Sequence, residues 1–160
     1  MKTIIAIDPG PTESAWVILK EGMPVNFRKD KNDDVLIILR SIRGDINASE
    51  ITLAIEQVAS MGMAVGEEVF ETVFWSGRFY QAYLPGNIMR IPRMAVKMYL
   101  CNDSRAKDGN IRQALIDKFG GKAEIKKGGS LYQISGDVWA ALGVAITAQA
   151  KIEVSNEKRA

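Results

Sequence analysis

The 160-residue sequence contains no histidine. That absence removes Ser-His and Cys-His nucleophile systems, imidazole bases and histidine-based zinc sites. Any hydrolytic chemistry then rests on carboxylates, lysines or a hard metal ion. There is one cysteine, Cys101, so no disulfide can close within the chain. A lone thiol suits a reducing cytoplasm and reads as core filler more readily than as a nucleophile. No apolar run approaches the ~20 residues of a membrane helix. The N-terminus, Met1-Lys2-Thr3-Ile4-Ile5-Ala6-Ile7-Asp8, meets a charge too early for a signal peptide. A cytoplasmic protein is the expectation. Repeats, low-complexity segments and an obvious linker are missing too.

The 47% of apolar residues suffices for one domain with a sizeable core. Net charge is only +2, but it is unevenly spread. Residues 1–80 carry 8 Lys/Arg against 12 Asp/Glu, and residues 81–160 carry 13 against 7. Within residues 90–127, ten basic side chains face four acidic ones. Such a surplus is either an ordinary solvated surface or a patch that meets phosphates.

Thr3–Asp8 is an apolar run ending in an acid, the pattern of a buried central strand. Ser14–Lys20 and Val25–Arg28 read as short strands about a turn at Gly22. Asp34–Arg43 has the spacing of an amphipathic helix. Ile51–Glu56 is a second apolar run ending in an acid. Glu67–Tyr80 reads as a helix, with Glu67 and Glu68 matching the helix dipole. Asn87–Ile91 is a strand before Pro92. Ile111–Phe119 is a helix stopped by Gly120-Gly121, and Val138–Ile152 is a long apolar helix. The expected domain is 1–152, with 153–160 a polar, frayed tail. Three strands followed by alternating elements predict an α/β fold: a mixed central sheet flanked by helices, with its site at the carboxyl ends of strands.

Asp8 and Glu56 each end an apolar strand; parallel neighbours would bring them to one sheet edge. Asp137 follows Ser135-Gly136 at the start of the last helix. Singly, each acid has an ordinary explanation: a solvated strand end, or a cap and dipole partner. Together, three close carboxylates repel and hold raised pKa values until a cation joins them. Mg²⁺ or Mn²⁺ ions prefer such oxygen ligands. Two of them about 3.5–4 Å apart can activate a water and stabilise the leaving oxygen in phosphodiester hydrolysis.

Ile5-Ala6-Ile7-Asp8-Pro9-Gly10 resembles the opening motif of RuvC resolvases. Ala54-Ile55-Glu56-Gln57-Val58 is similar to the segment carrying their second acid, and Asp137-Val138-Trp139-Ala140-Ala141-Leu142-Gly143-Val144-Ala145 to their last helix. The likeness to a phage-type RuvC-like group is closer. It takes in Gly62-Met63-Ala64-Val65-Gly66, Glu71-Thr72-Val73, Gly77-Arg78-Phe79 and Ala106-Lys107-Asp108-Gly109-Asn110-Ile111-Arg112-Gln113-Ala114-Leu115. The resemblance implies an RNase H-like fold, a homodimer, and Mg²⁺- or Mn²⁺-dependent nicking of four-way (Holliday) junctions with two ions per site. It implies that Asp8, Glu56 and Asp137 are the catalytic metal ligands, and that Lys107 and Arg112 lie near the DNA backbone. With the basic surplus it makes Arg90, Arg93, Lys97, Arg105, Lys107, Arg112, Lys126 and Lys127 the candidate DNA-binding residues.

Two positions depart from the family. Its members carry a further acid one helical turn after the first acid of the last motif, where this chain has Ala140. They also carry a junction-opening aromatic three residues after the second acid, where this chain has Ala59. Met61 and Met63 are the nearest substitutes, each equally readable as packing. The aromatic-rich helix 67–80 carries more large apolar surface than one face can bury, which favours a symmetric dimer over complete burial within one subunit. Two other functions compete. Ile7-Asp8-Pro9-Gly10-Pro11-Thr12 is similar to the phosphate loop of sugar kinases and actin-like ATPases, but those need a second domain to close the nucleotide cleft. Ala140 also suits a branched-DNA-binding protein with a degenerate site, which metal-dependent nicking would exclude.

Overall fold

The computed structural model describes residues 3–45, 48–59, 62 and 64–158. Strands β1 (Thr3–Asp8), β2 (Glu13–Lys20) and β3 (Met23–Lys31) come first, followed by helix α1 (Asn32–Arg43) and a 3₁₀ turn at Ala48–Glu50. Then come β4 (Ile51–Gln57), α2 (Glu67–Tyr83), β5 (Asn87–Pro92), α3 (Arg93–Cys101), α4 (Asp108–Phe119) and α5 (Val138–Glu157). The five strands lie in the order β3-β2-β1-β4-β5. The pairs β1–β2 and β2–β3 are antiparallel, and β1–β4 and β4–β5 are parallel. This is the mixed α/β sheet expected.

Alternation along the strands divides the core in two. Ile4, Ala6 and Ala54 face one side, where they pack with Val96 of α3, Ile111 and Leu115 of α4 and the apolar surface of α5. Ile5, Ile7, Leu53 and Ile55 face the other, against Val35, Leu36 and Leu39 of α1 and Phe79 and Tyr83 of α2. Helix α5 is buried over most of its length, because sheet, α3 and α4 all cover it. The two-residue turn Glu21-Gly22 joins β2 to β3 with φ of 51° and 83°. Positive φ at both positions matches the right-handed strand twist, and Gly22 takes it at no steric cost.

The main differences from the sequence reading lie in the helices, and β3 runs Met23–Lys31 where Val25–Arg28 was expected. Helix α3 had no predicted counterpart. α4 begins at Asp108, three residues before Ile111, and α2 continues to Tyr83. The predicted stop at Ile152 falls short, because α5 stays helical to Glu157. Its last turn is solvent-exposed, so the backbone carries the helix past the point where apolar periodicity ends. Among the described residues no helix is long and apolar enough to cross a membrane.

Candidate active site

Ile7 of β1 pairs with Ile55 of β4, so the next residues, Asp8 and Glu56, leave adjacent parallel strands side by side. Both share a face with Ala6 and Ala54, the face that carries α5. Asp137 directly precedes α5 on that side. A cavity of about 100 Å³ opens there, lined by Asp8, Arg93, Asp108, Asp137, Trp139 and Ala140 among others. Asp8 and Asp137 line it, and Glu56 lies beside Asp8 at the end of the neighbouring strand.

The turn after Asp8 is locked from below. Ser14 and Asn32, both fully buried, close a ring with Gly10. The Gly10 N–H donates to Ser14 Oγ at 3.1 Å, Ser14 Oγ donates to Asn32 Oδ1 at 2.6 Å, and Asn32 Nδ2 donates back to the Gly10 carbonyl at 3.0 Å. A side chain at position 10 would meet the Glu13 carbonyl oxygen at 2.3 Å, so only glycine fits. Neither Ser14 nor Asn32 stood out in the sequence. A buried polar residue two strands away gives no periodic signal.

Burial is the main reason that the Asp8 carboxyl is pushed up to about 7. The charge of Glu56 adds to it, Arg93 opposes it, and Asp137 and Asp108 push the same way as Glu56. Glu56 is also raised by burial, against the nearby Arg93 guanidinium that holds it ionised. Asp8 thus feels the charges of three neighbouring acids, and Glu56 feels that of Asp108.

Cations of the chain itself are already among them. Arg93 Nη1 donates to both Glu56 oxygens, at 3.2 and 3.0 Å, and Nη2 donates to Asp108. Lys29 Nζ donates to Asp137 Oδ2 at 2.7 Å. That bond is the chief reason the Lys29 ammonium is raised. With the side chains so arranged, no group of three or more His, Cys, Asp or Glu among the described residues is drawn close enough to hold a metal ion. The all-oxygen donor set and its buried charge nevertheless suit a hard divalent cation, and Arg93 stands in for one between two carboxylates.

The basic candidates are dispersed. Arg105, Lys107 and Arg112 are exposed along the start of α4, and Lys126 and Lys127 are exposed in the loop beyond it. Arg112 lies 5.3 Å from the Trp139 ring centroid, at the cavity rim. Lys97 on α3 is near enough for its charge to act on Glu56. Arg90 instead lines a groove with Val58, Val73, Ser76 and Tyr80 beside α2. Arg93 departs from the expectation of a phosphate-facing side chain, because Glu56 and Asp108 hold it inward. Lys29, Arg93 and Asp108 in its new role are residues the sequence reading missed as a charge cluster. Ala140 lines the cavity, Ala59 is exposed, and Met61 and Met63 fall outside the described residues.

No protein-family model matches the sequence, and no curated protein sequence matches it. Solved structures do match its fold. Thermus thermophilus RuvC superposes with a TM-score of 0.71 at 14% identity, over 96% of each chain. T. thermophilus RuvC in complex with Holliday junction substrate superposes with a TM-score of 0.67 at 13% identity, again over 96% of each. The chain has a RuvC-like, RNase H-like fold over the 96% of its length that superposes.

Proposed function

We propose that the chain is a metal-dependent endonuclease that nicks branched DNA, four-way junctions above all, in recombination, repair or phage DNA processing in the cytoplasm. The observation that carries this is the placing of Asp8 and Glu56 at the carboxyl ends of adjacent parallel strands, with Asp137 at the start of α5 lining the same cavity as Asp8, in a RuvC-like sheet. Support for the substrate comes from the relative solved with a Holliday junction and from the exposed bases around α4.

Asp8, Glu56 and Asp137 would hold Mg²⁺ or Mn²⁺, two ions in the reading carried from the family. Bound there, the metal supplies an activated water and charge stabilisation for phosphodiester hydrolysis. The protein's own part is positional. The Ser14–Asn32–Gly10 ring fixes the turn that aims Asp8, the parallel register fixes Glu56 beside it, and the start of α5 presents Asp137. Arg105, Lys107, Arg112, Lys126 and Lys127 would neutralise phosphates on the strand approaching the cavity.

A homodimer fits the same reading, because two matched cuts in a roughly two-fold substrate call for two equivalent sites. Its support is the outer face of α2. Phe79 and Tyr83 are buried, but Phe70, Val73 and Phe74 are 64%, 50% and 58% exposed. Aromatic and aliphatic groups of that size favour the core of an interface over water.

The test is nicking of a synthetic four-way junction, with linear duplex, flap and fork substrates alongside, in Mg²⁺, Mn²⁺ or EDTA. Metal-dependent nicks on the junction are expected, and Asp8→Asn should abolish them while leaving junction binding intact. Binding without nicks in either metal would instead establish the second reading, a branched-DNA-binding protein. That reading draws on Arg93 and Lys29, which already neutralise the acids, and on Ala140.

A further inference from the structure

Arg93 opens α3 directly beyond β5, where Pro92 pairs with Gln57 of β4. That register carries its guanidinium to Glu56. The second partner, Asp108, comes from a different element, the first turn of α4, and its side chain is 85% exposed. Burial does not force Asp108 toward Glu56. An acid serving only the α4 dipole could equally turn to solvent. Instead two carboxylates from two elements close on one positive group, which makes the point between them a cation position. The same Asp108 lines the cavity with Asp8 and Asp137. Two cations of the chain, Arg93 and Lys29, are bonded directly to three of these carboxylates, Glu56, Asp108 and Asp137.

Building on the nuclease reading, we propose that Asp108 is a fourth acid of the cation site and that Arg93 is its exchangeable counter-ion. A divalent cation entering between Glu56 and Asp108 displaces the guanidinium. Arg93 is then a positioning residue that holds Glu56 and Asp108 to one point in the metal-free protein, and yields its place when metal arrives. This accounts for the lack of a ready-made metal cluster among the described residues.

The test is calorimetric titration of the full chain with Mn²⁺ alone, comparing the wild type with Asp108→Asn, Arg93→Gln and a control, Asp117→Asn. Asp117 is on the same helix, and its carboxylate accepts from Gln113 at 2.8 Å. Asp108→Asn should weaken Mn²⁺ binding by about tenfold or more. Arg93→Gln removes a competing charge and should tighten it by about tenfold. Asp117→Asn should titrate as the wild type. A measurement on the wild type avoids any folding defect in Arg93→Gln: the Arg93 Nε–Hε NMR resonance should shift during Mg²⁺ titration and saturate with binding. If Asp108→Asn titrates like the control, or the Arg93 resonance is unmoved at saturation, the proposal is overturned while the nuclease reading stands. A wild type that takes up neither ion would overturn both.

Discussion

In EDTA, Asp8→Asn is expected to make the protein more stable, and the size and pH dependence of the gain follow from the site. The Asp8 carboxyl is raised from 3.8 to about 7 in the folded chain. The folded state therefore keeps a proton that the unfolded state has released, and stability falls as pH rises between those values. Below about 3.8 both states are protonated and the cost is absent; above about 7 it is fully present. A rise of about three units at 1.36 kcal/mol each puts that cost at about 4 kcal/mol. Asparagine has nearly the same shape and carries no charge, but its amide sits in a site built for a carboxylate, at a cost of about 1–2 kcal/mol. The net gain at pH 8 is then about 2–3 kcal/mol, or about 4–10 °C in Tm for a domain of this size.

Thermal melts followed by circular dichroism, from pH 4 to 8 in EDTA, measure this directly. The variant should melt above the wild type by the widest margin at pH 7–8, and near pH 4, where the cost of the buried charge has almost gone, it should melt slightly below it. Saturating Mn²⁺ should close the gap, since about 100-fold excess over Kd stabilises the wild type by about 2.7 kcal/mol and leaves Asp8→Asn where it was. An Asp8→Asn protein no more stable than the wild type at pH 8 in EDTA would refute the argument that Asp8 is held strained for a cation.

Four other substitutions probe the remaining parts. Asn32→Ala orphans the buried Ser14 hydroxyl and Gly10 carbonyl, and should cost about 2–4 kcal/mol in urea unfolding; a loss below about 1 kcal/mol would show that the ring does not hold the Asp8 turn. Lys107→Gln and Arg112→Gln should each flatten the salt dependence of junction binding by about one unit, equally for all sequences. An unchanged slope would place those side chains off the DNA. Phe74→Glu alters a side chain that is 58% exposed, so the fold should stay within about 0.5 kcal/mol while sedimentation moves to the 17.6 kDa monomer. A wild type that already sediments as a monomer would remove the dimer from the proposal.

The acids were legible because strand and chemistry coincide in them. An apolar run that ends in Asp8 or Glu56 announces a buried strand and the point where its end meets a site, and β1, β4 and α5 appear where those runs stand. Helix α3 was harder to see because it has only nine residues, and Met94, Met98 and Tyr99 on its exposed side blur the helical period. Its signals were local: Pro92 fixes the chain at its start, and Asn102, at φ 49°, ends it in the left-handed conformation that asparagine tolerates. α4 begins before its apolar period does, with Asp108, Gly109 and Asn110 exposed and the Asn110 side chain accepting from the Lys107 N–H at 2.9 Å.

Missing those two helix starts had a functional consequence. Arg93 and Asp108 are the first residues of α3 and α4, so their meeting depends on where each helix begins and on how both pack against α5. Read along the chain, Arg93 is one base in a basic stretch and Asp108 one of four acids scattered through it. Read across the fold, they form a pair that touches Glu56 and shares a cavity with Asp8 and Asp137. Periodicity and motifs locate side chains that the strands themselves carry. Side chains delivered by the packing of one helix start against another become visible only once the helices are placed, and here they include the cation that the acids already hold.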